Sequence, residues 1–316
     1  MVGNAAIQNE PTPEFNDKCM DVINRWQDGE LPYQDAIATL NHYLQTAHDN
    51  IVDQGRAEQL LGYIQHYRGN FTTSIQHVER ARAIYEKAGN PRRMAIMDLN
   101  QGENYRFLGD FKRAVRLFRN AQQVLAELNQ PRDLTSATVN EGLVLVTLGR
   151  DEEARQVFER ALLISEALPN DVYLQRMLCE VHHGMATLNL RGGNAQAAWV
   201  NAVEAIHLAQ VTGDPILRGM ANRLMGEVIT ELGGVPDDDY SGEPDDYFRE
   251  SIQALQEIDA QAEQARTMFV QAVSLAKRGK RTTAARKLEH VMHVFSDLGM
   301  VDDAARAAEV QRDVIA

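Results

Sequence analysis

The strongest constraint on the fold of this 316-residue chain is a repeat of about 40 residues. Turn-like glycines recur with this period, at Gly29, Gly69, Gly109, Gly149, Gly192 or Gly193, Gly233 and Gly279. A second series of small residues lies shortly before the last six of these seven turns, at Gly62, Gly102, Gly142, Gly184, Gly226 and Ala272. One helix pair of this length cannot bury its apolar face alone, so the period predicts a solenoid of stacked pairs.

The repeating unit is clearest in residues 95–128, which predict two amphipathic helices joined by a tight turn at Gly109-Asp110. Small residues mark the positions where the two helices would touch, at Gly102, Ala114 and Ala121. Large apolar residues stand between them, at Tyr105, Phe111 and Phe118. This pattern resembles the tetratricopeptide repeat (TPR), and the resemblance extends over nearly the whole chain. The period of about 40–42 residues resembles the long-repeat variety in kinesin light chains, spindle-orientation adaptors and bacterial regulators.

The resemblance implies an all-α, right-handed α-solenoid of about seven helix pairs. These pairs are expected to begin near residues 14, 54, 94, 134, 174, 216 and 262 and to fill residues 14–300. Residues 1–13 are polar and contain two prolines, which predicts a disordered leader. Residues 301–316 predict a single amphipathic helix that caps the open end of the stack.

One segment departs from the repeat, an acidic insertion at residues 234–246 that is rich in Asp, Gly and Pro. Residues 235–263 hold ten acids and one base, while residues 277–290 hold six bases and one acid. The insertion lacks the twelve-residue ligand spacing of a hand-type calcium loop. We therefore expect it to be a solvated loop, attracted to the neighbouring basic run.

Charge and composition narrow the location and the partners. A net charge of −13 argues against general nucleic-acid binding, which needs a basic surface. No apolar run approaches the roughly 20 residues that span a membrane. Cys19 and Cys179 lie far apart in sequence and predict free thiols in a reducing compartment. These features predict a cytoplasmic protein without direct nucleic-acid or membrane partners.

No motif for catalysis or for a cofactor is found. The chain lacks a nucleophile elbow, a phosphate-binding loop, a zinc-protease motif and a dinucleotide fingerprint, and it shows no strand-like runs. Cys179 and His182 would share a helix face, but zinc needs four ligands in register, so no metal site is predicted. We expect a non-enzymatic protein that needs no cofactor.

The TPR resemblance places the first helix of each pair on the concave face. Inward positions then fall two before, one after, and four or five after the small packing residue. The predicted peptide-binding groove comprises Tyr63, His66 and Tyr67 in repeat two, Asn100, Glu103 and Arg106 in repeat three, Asn140 and Leu143 in repeat four, His182, Met185 and Asn189 in repeat five, and Glu227 in repeat six. The basic clamp with which some TPR proteins bind a C-terminal carboxylate is not evident at these inner positions.

Asn100 and Asn140 lie one period apart at equivalent positions. An amide both donates and accepts hydrogen bonds, so it can engage the two sides of a peptide unit, and TPR adaptors use asparagines in this way. Tyr63 and Tyr67 are candidate anchors, because aromatic residues dominate binding hot spots. The alternatives are that the amides bond to a neighbouring helix and that the tyrosines pack within their own repeat.

The predicted function is that of a protein-interaction scaffold or adaptor that holds a partner's peptide or helix in the concave groove. The alternative is a peptide-sensing regulator whose superhelix changes shape on ligand binding and which acts on a transcription or signalling partner. About 13 residues precede the first repeat, too few for a DNA-binding unit, so output through protein contact is expected.

Overall fold

The computed structural model describes residues 9–47 and 50–315, so the first eight residues of the predicted leader lie outside it. Within these ranges the chain forms fifteen helices and no strand, which confirms the all-α solenoid. The helices are α1 (Pro13–Gln27), α2 (Tyr33–Thr46), α3 (Ile51–Tyr67), α4 (Phe71–Lys87), α5 (Pro91–Phe107), α6 (Phe111–Glu127), α7 (Pro131–Thr147), α8 (Asp151–Ser165), α9 (Val172–Arg191), α10 (Ala195–Thr212), α11 (Pro215–Leu232), α12 (Pro244–Glu257), α13 (Gln261–Lys277), α14 (Arg281–Asp297) and α15 (Val301–Ile315).

The helix ends follow from local sequence chemistry. Proline opens α5, α7 and α11, where its missing N–H would have had no helical partner. Asn90 caps α5, its side chain accepting from the Arg93 backbone N–H at 2.9 Å. Each pair then turns at a glycine in the left-handed region, such as Gly109 with φ 82°, a conformation that is costly for other residues.

In the pairs α5–α6, α7–α8 and α11–α12, a phenylalanine of the second helix fits against a glycine of the first. A Cβ on Gly102 would lie 2.5 Å from the ring of Phe118, and one on Gly226 would lie 2.9 Å from Phe248. Both phenylalanines are fully buried. The odd-numbered helices from α3 to α13 also contact the odd-numbered helix of the next repeat, so they form the inner layer of the solenoid.

Ion pairs join residues about one repeat apart and link successive first helices. Arg92 Nε lies 2.6 Å from Asp133 Oδ2, and Arg132 Nη1 lies 2.8 Å from Asp171 Oδ2. The described end of the leader is attached too, since the Thr12 backbone N–H donates to Asp53 of α3 at 2.7 Å and Glu10 pairs with Arg93 of α5 at 2.7 Å. Residues 9–12 are therefore held against α3 and α5, which differs from a leader disordered up to residue 13.

The superhelix completes a turn and meets itself, at a contact that we call the closing seam. It consists of Arg68, Phe71 and Phe107 from repeats two and three, and Asp259, Arg266 and Leu298 from repeats six and seven. Arg68 pairs with Asp259, and the Arg266 guanidinium lies 4.0 Å from the centre of the Phe107 ring. Phe71 and Phe107 share an apolar cluster with Leu298. A side chain on Gly69 would meet Leu298 at 2.6 Å, so the two ends are in close contact.

Candidate functional site

The closed superhelix contains a partly open cavity of about 310 Å³ on the inner side of repeats three to seven. This volume is at the lower end of the roughly 300–1,000 Å³ typical of ligand pockets. The walls come from α5, α7, α9, α11 and α13, and from the terminal helix α15. Part of the wall is apolar, with Leu143, Val146, Leu190, Met220, Phe269 and Val273. The rest is charged, so the cavity combines apolar surface with fixed charges.

Most of the charges around the cavity are held in ion pairs. Arg223 Nη1 lies 2.6 Å from Glu263 Oε2, and Arg266 Nη2 lies 3.2 Å from Asp303 Oδ2. Burial favours the neutral form of Glu263, but Arg223 and Arg266 outweigh this effect and lower its pKa to about 2. Arg106 pairs with Glu103 at 2.6 Å on the facing wall. These pairs fix the arginine side chains, and pre-ordered groups lose less entropy when a ligand binds.

His183 also lines the cavity. Burial, together with the charge of Arg223, lowers the pKa of His183 to about 3, so the ring is neutral near pH 7. Its Nδ1 atom is buried and has no hydrogen-bond partner among the residues that the structure describes. The ring therefore contributes to the wall a neutral imidazole whose Nδ1 atom forms no hydrogen bond to a described residue.

Beyond the cavity, the centre of the superhelix is filled by side chains from opposite sides. Tyr63 and Tyr67 of α3 have ring centres 4.7 Å apart, and Tyr63 packs edge-on against Trp26. The charge of Arg176 on α9 acts on both tyrosines, which shows that repeats two and five face each other here. Burial, with the nearby Glu103 carboxylate, raises the pKa of Glu180 to about 7. This part of the centre leaves less room for a ligand than the cavity does.

Sequence comparison finds the repeat unit in the fourth helix pair. A family model described as tetratricopeptide repeat matches residues 136–168, which cover most of α7 and all of α8. Tetratricopeptide repeat protein 36 of Danio rerio is 29% identical over 140 residues, covering 42% of this chain and 71% of that protein. The chain is a TPR-repeat protein. Its helix pairs, packing glycines and stacked inner helices are the features on which this assignment rests.

Solved structures share the fold of this TPR protein at low sequence identity. Aspartyl phosphate phosphatase F from Bacillus subtilis superposes with a TM-score of 0.64 at 15% identity, covering 89% of this chain and 70% of its own. A Rap protein complexed with competence and sporulation factor gives 0.62 at 13%, covering 96% and 87%. NprR in complex with its cognate peptide NprX gives 0.61 at 12%, covering 95% and 87%. At these identities the similarity establishes the fold alone.

Three of the residues predicted for the groove of the TPR protein line the cavity directly, namely Arg106, Leu143 and Glu227. Glu103 does so indirectly, because its carboxylate holds the Arg106 guanidinium. Sequence reasoning missed the contributions of α13 and of α15, including Asp303 and Arg306. The predicted groove includes no residue of the seventh repeat, and the sequence pattern predicts only a capping role for the terminal helix.

The three predicted residues of repeat two take part in packing rather than in the cavity wall. Tyr63 OH accepts a hydrogen bond from Gln27 Nε2 at 2.9 Å. His66 Nδ1 lies 3.0 Å from Asn104 Oδ1, and its ring contacts Phe107 edge-on at 4.9 Å. Tyr67 lies between the Tyr63 and His66 rings. The packing alternative therefore accounts for the contacts of these residues in the structure.

The inward register of repeat five differs from the predicted one by two residues. The left-handed turn residue is Gly193, with φ 73°, and not Gly192. In the other long repeats the packing residue lies seven positions before the turn, as with Gly102 and Gly109, which points to Ala186. Ala186 belongs to the cluster shared with α10, whereas Gly184 faces Phe158 of the preceding repeat.

The residues that line the cavity in repeat five are accordingly His183, Thr187, Leu190 and Arg191. The predicted residues have other neighbours. His182 Nδ1 lies 3.0 Å from Asn201 Oδ1 of α10, and Met185 packs in the cluster with Phe158. Asn189 accepts a long hydrogen bond of 3.5 Å from Arg155. Counting seven residues back from the second glycine of the pair would have given the observed register.

Asn100 and Asn140 lie at equivalent positions of α5 and α7, as the repeat pattern predicts. Both are partly buried, and neither side chain forms a hydrogen bond to any residue in the described ranges. The equivalent position in α13 is Val270, which lines the cavity, so this register position faces inward. A role for the two amides in ligand binding stays a prediction.

The described residues contain no cluster of three or more His, Cys, Asp or Glu side chains that could hold a metal ion. None of the helices in those ranges is long and apolar enough to cross a membrane.

Proposed function

We propose that this TPR protein binds a short peptide in its inner cavity and acts as a non-catalytic, peptide-sensing regulator. The observation that carries the proposal is the partly open inner cavity of about 310 Å³, with apolar surface and ordered charges on its walls. A helix with its side chains is about 10–12 Å across, which this volume does not accommodate over several turns. An extended segment of a few residues suits it better.

The structural relatives support the choice of a peptide. A Rap protein with competence and sporulation factor and NprR with its cognate peptide NprX both adopt this fold. In our proposal the ligand bridges helices from repeats three to seven, and it would thereby bias how tightly the superhelix closes. A partner protein would read that change through the outer surface, since binding can shift a conformational equilibrium only by differential affinity.

A second candidate function is that of an adaptor that holds an extended segment of a partner along the inner helices. Asn100 and Asn140 favour it, because their amides lack hydrogen-bond partners within the described residues and lie at an inward register position. Replacing both by Ala should then weaken partner binding about ten-fold or more, since each lost hydrogen bond costs roughly 0.5–1.5 kcal/mol. Affinity measured for a partner recovered by pull-down tests this, with melting curves to exclude a folding effect.

Cys19 and Cys179 are both buried and free, which supports our proposal that the protein works in a reducing compartment such as the cytoplasm.

The experiment that tests the proposed function uses mixed-sequence synthetic peptides of two to six residues. We expect a subset to raise the melting temperature of the wild type and to be retained in equilibrium dialysis, because a ligand that binds only the folded state stabilises it. Val273→Trp, which fills the cavity, should reduce retention at least ten-fold. Val200→Trp on the outer face, where Val200 is 64% exposed, is the matched control and should retain the same peptides. Equal retention by both variants would exclude the cavity as the binding site.

A further inference from the structure

The charges around the cavity pair off with two exceptions. Arg106 pairs with Glu103, Arg191 with Asp151, Arg223 with Glu263, Arg266 with Asp303, and Lys277 with Glu231. Among the described residues, the charged side chains that line the cavity without an ion-pair or hydrogen-bond partner are Glu227 of α11 and Arg306 of α15. One acid and one base therefore remain, on two helices that are separated by α13.

Glu227 is the more enclosed of the two. Its position on α11, one residue after the packing glycine Gly226, directs it inward beside Thr230 and Met220. Burial raises the pKa of its carboxyl group, although Arg223, Lys277 and Arg306 partly oppose this effect. Arg223 and Lys277 are already committed to other acids. An enclosed carboxylate without a partner is unfavourable, and a ligand cation would remove that cost.

Arg306 is exposed and lies on the terminal helix, where the nearest aromatic contact is the Phe269 ring at 5.4 Å from its guanidinium carbon. A guanidinium presents several N–H donors in a plane and binds carboxylates in a bidentate manner. Its position on α15 explains why the inner helices alone offered no site for a carboxylate. The cavity thus has a carboxylate that can bind a cation, on Glu227, and a guanidinium that can bind an anion, on the wall formed by α15.

We propose that the ligand is a zwitterionic dipeptide or tripeptide, with its cation on Glu227 and its C-terminal carboxylate on Arg306. This inference rests on the proposed function and specifies its ligand class. A cavity of about 310 Å³, at the lower end of the range of ligand pockets, suits a ligand of a few residues. The cation is an ammonium or guanidinium group, from the peptide N-terminus or from a Lys or Arg side chain. Because the ligand links α11 to α15, its binding attaches the terminal helix to the inner wall.

The test uses mixed-sequence dipeptides and tripeptides in four forms, with free ends, N-acetylated, C-amidated, or blocked at both ends. Dissociation constants are measured by equilibrium dialysis with mass spectrometry for the wild type, Glu227→Gln and Arg306→Gln. The matched controls are Glu159→Gln, an exposed residue of α8, and Arg312→Gln, an exposed residue of α15. Melting curves show that each variant is folded.

We expect C-amidation of the peptide to weaken its binding to the wild type at least ten-fold. Arg306→Gln should weaken the binding of free-ended peptides by a similar factor, and C-amidated peptides should bind to Arg306→Gln no more weakly than free-ended ones do. Removing the ligand cation should likewise weaken binding to the wild type at least ten-fold, and it should have no further effect on binding to Glu227→Gln. If N-acetylation has no effect but Lys- and Arg-containing peptides still depend on Glu227, the cation comes from a side chain. The two control variants should bind all four forms as the wild type does.

Two other results would overturn the inference in distinguishable ways. In the first, peptides bind to the wild type and Val273→Trp abolishes this binding, but neither blocking the peptide ends nor the Glu227 and Arg306 substitutions change the affinity. The proposed function would then stand, and this ligand class would be excluded. If no peptide in any form binds to the wild type, the proposed function fails and this inference fails with it.

Discussion

Gly102 shows how the absence of one side chain sets the spacing of a helix pair. The Phe118 ring occupies the space that a Cβ on this residue would take, at a distance of 2.5 Å. Phe118 is fully buried, so the ring has no room to move away. The same arrangement recurs at Gly142 with Phe158, which is why the small residue repeats with the period of the fold.

Gly102→Leu should destabilise the protein by about 1–3 kcal/mol, because extra methylene groups in a packed core force its neighbours to shift. The control is Gly192→Leu, at an exposed position with negative φ where no heavy atom lies within 3.4 Å of the added Cβ. Urea denaturation of both variants measures the change. If the two substitutions cost the same, the close contact with Phe118 does not determine the spacing of the pair.

At this scale the sequence predicted the packing residues better than the binding residues. The local sequence explains a glycine at the contact between two amphipathic helices. The roles of Glu103 and Arg106 depend instead on which helix lies opposite them. His66 shows the limit, because its partners Asn104 and Phe107 lie about 40 residues further along the chain. A single sequence does not indicate that these groups meet.

The acidic insertion is an element whose attachment differs from the solvated loop that the sequence predicted. Its aspartates Asp237 to Asp239 are exposed. Tyr240, however, packs edge-on against Trp199 of α10 with ring centres 5.2 Å apart, and Val235 packs on the same cluster. The backbone N–H of Ser241 donates to Tyr247 OH at 3.1 Å. Aromatic contact thus attaches the centre of the loop to repeat five.

Tyr240→Ala should lower the free energy of unfolding by about 1–2 kcal/mol, since it removes an aromatic pair and exposes part of Trp199. Replacing Asp237, Asp238 and Asp239 together by Asn should change it by less than about 0.5 kcal/mol, because these side chains are exposed. Thermal melts and Trp fluorescence check both variants. A Tyr240→Ala protein that melts like the wild type, with unchanged fluorescence, would show that the loop is free in solution.

Repeat five shows why the sequence pattern predicts the helices but misplaces part of the site. Two adjacent glycines, Gly192 and Gly193, both fit a turn, and only the backbone shows that Gly193 takes the left-handed conformation. α9 has 20 residues where the neighbouring first helices have 17 or 18, and the small residue that the pattern selects, Gly184, lies two positions before the observed packing residue, Ala186. A shift of two residues rotates a helix face by more than half a turn. The element was thus predicted while its facing residues were not.

The closing seam belongs to the whole molecule, and the sequence pattern does not predict it. The repeat period predicts that neighbouring pairs stack, but the pitch of the superhelix depends on small rotations that add up over seven repeats. Only after a full turn do Phe71 and Phe107 reach Leu298. The cavity and its charge pairs follow from this closure, which is why the sequence predicted an open groove.

Leu298→Asp should loosen the seam, because it places a charge among apolar groups near Gly69 and Leu108. We expect a lower melting temperature and a larger radius of gyration in small-angle X-ray scattering. Leu163→Asp is the control, since Leu163 is 66% exposed on α8 and distant from the seam. An unchanged radius of gyration, together with a melting temperature equal to that of the control, would mean that the superhelix does not close in solution.

Closure also brings ionisable groups of distant repeats together, and this should make stability depend on pH through Glu180. Arg106, Glu103, Arg176 and Asp214 surround its carboxyl group, and burial followed by Glu103 raises its pKa to about 7 from an ordinary 4.5. The folded protein therefore keeps a proton that the unfolded chain releases between these values. The stabilisation is complete below about pH 4.5 and is lost as the pH rises through 7.

Glu180→Gln cannot ionise, so relative to the wild type its stability should increase with pH. We expect little pH dependence of the difference below about pH 4.5, and a gain of roughly 1–3 kcal/mol at pH 8 over that baseline. Urea denaturation of wild type, Glu180→Gln and Glu159→Gln in steps from pH 4 to 8 measures it, and the last variant, at an exposed position of α8, should stay parallel to the wild type. A constant difference between wild type and Glu180→Gln across this range would show that repeats three and five do not enclose the carboxyl group. Glu180 would then titrate as a solvated glutamate, and the closed centre of the superhelix would have to be abandoned with it.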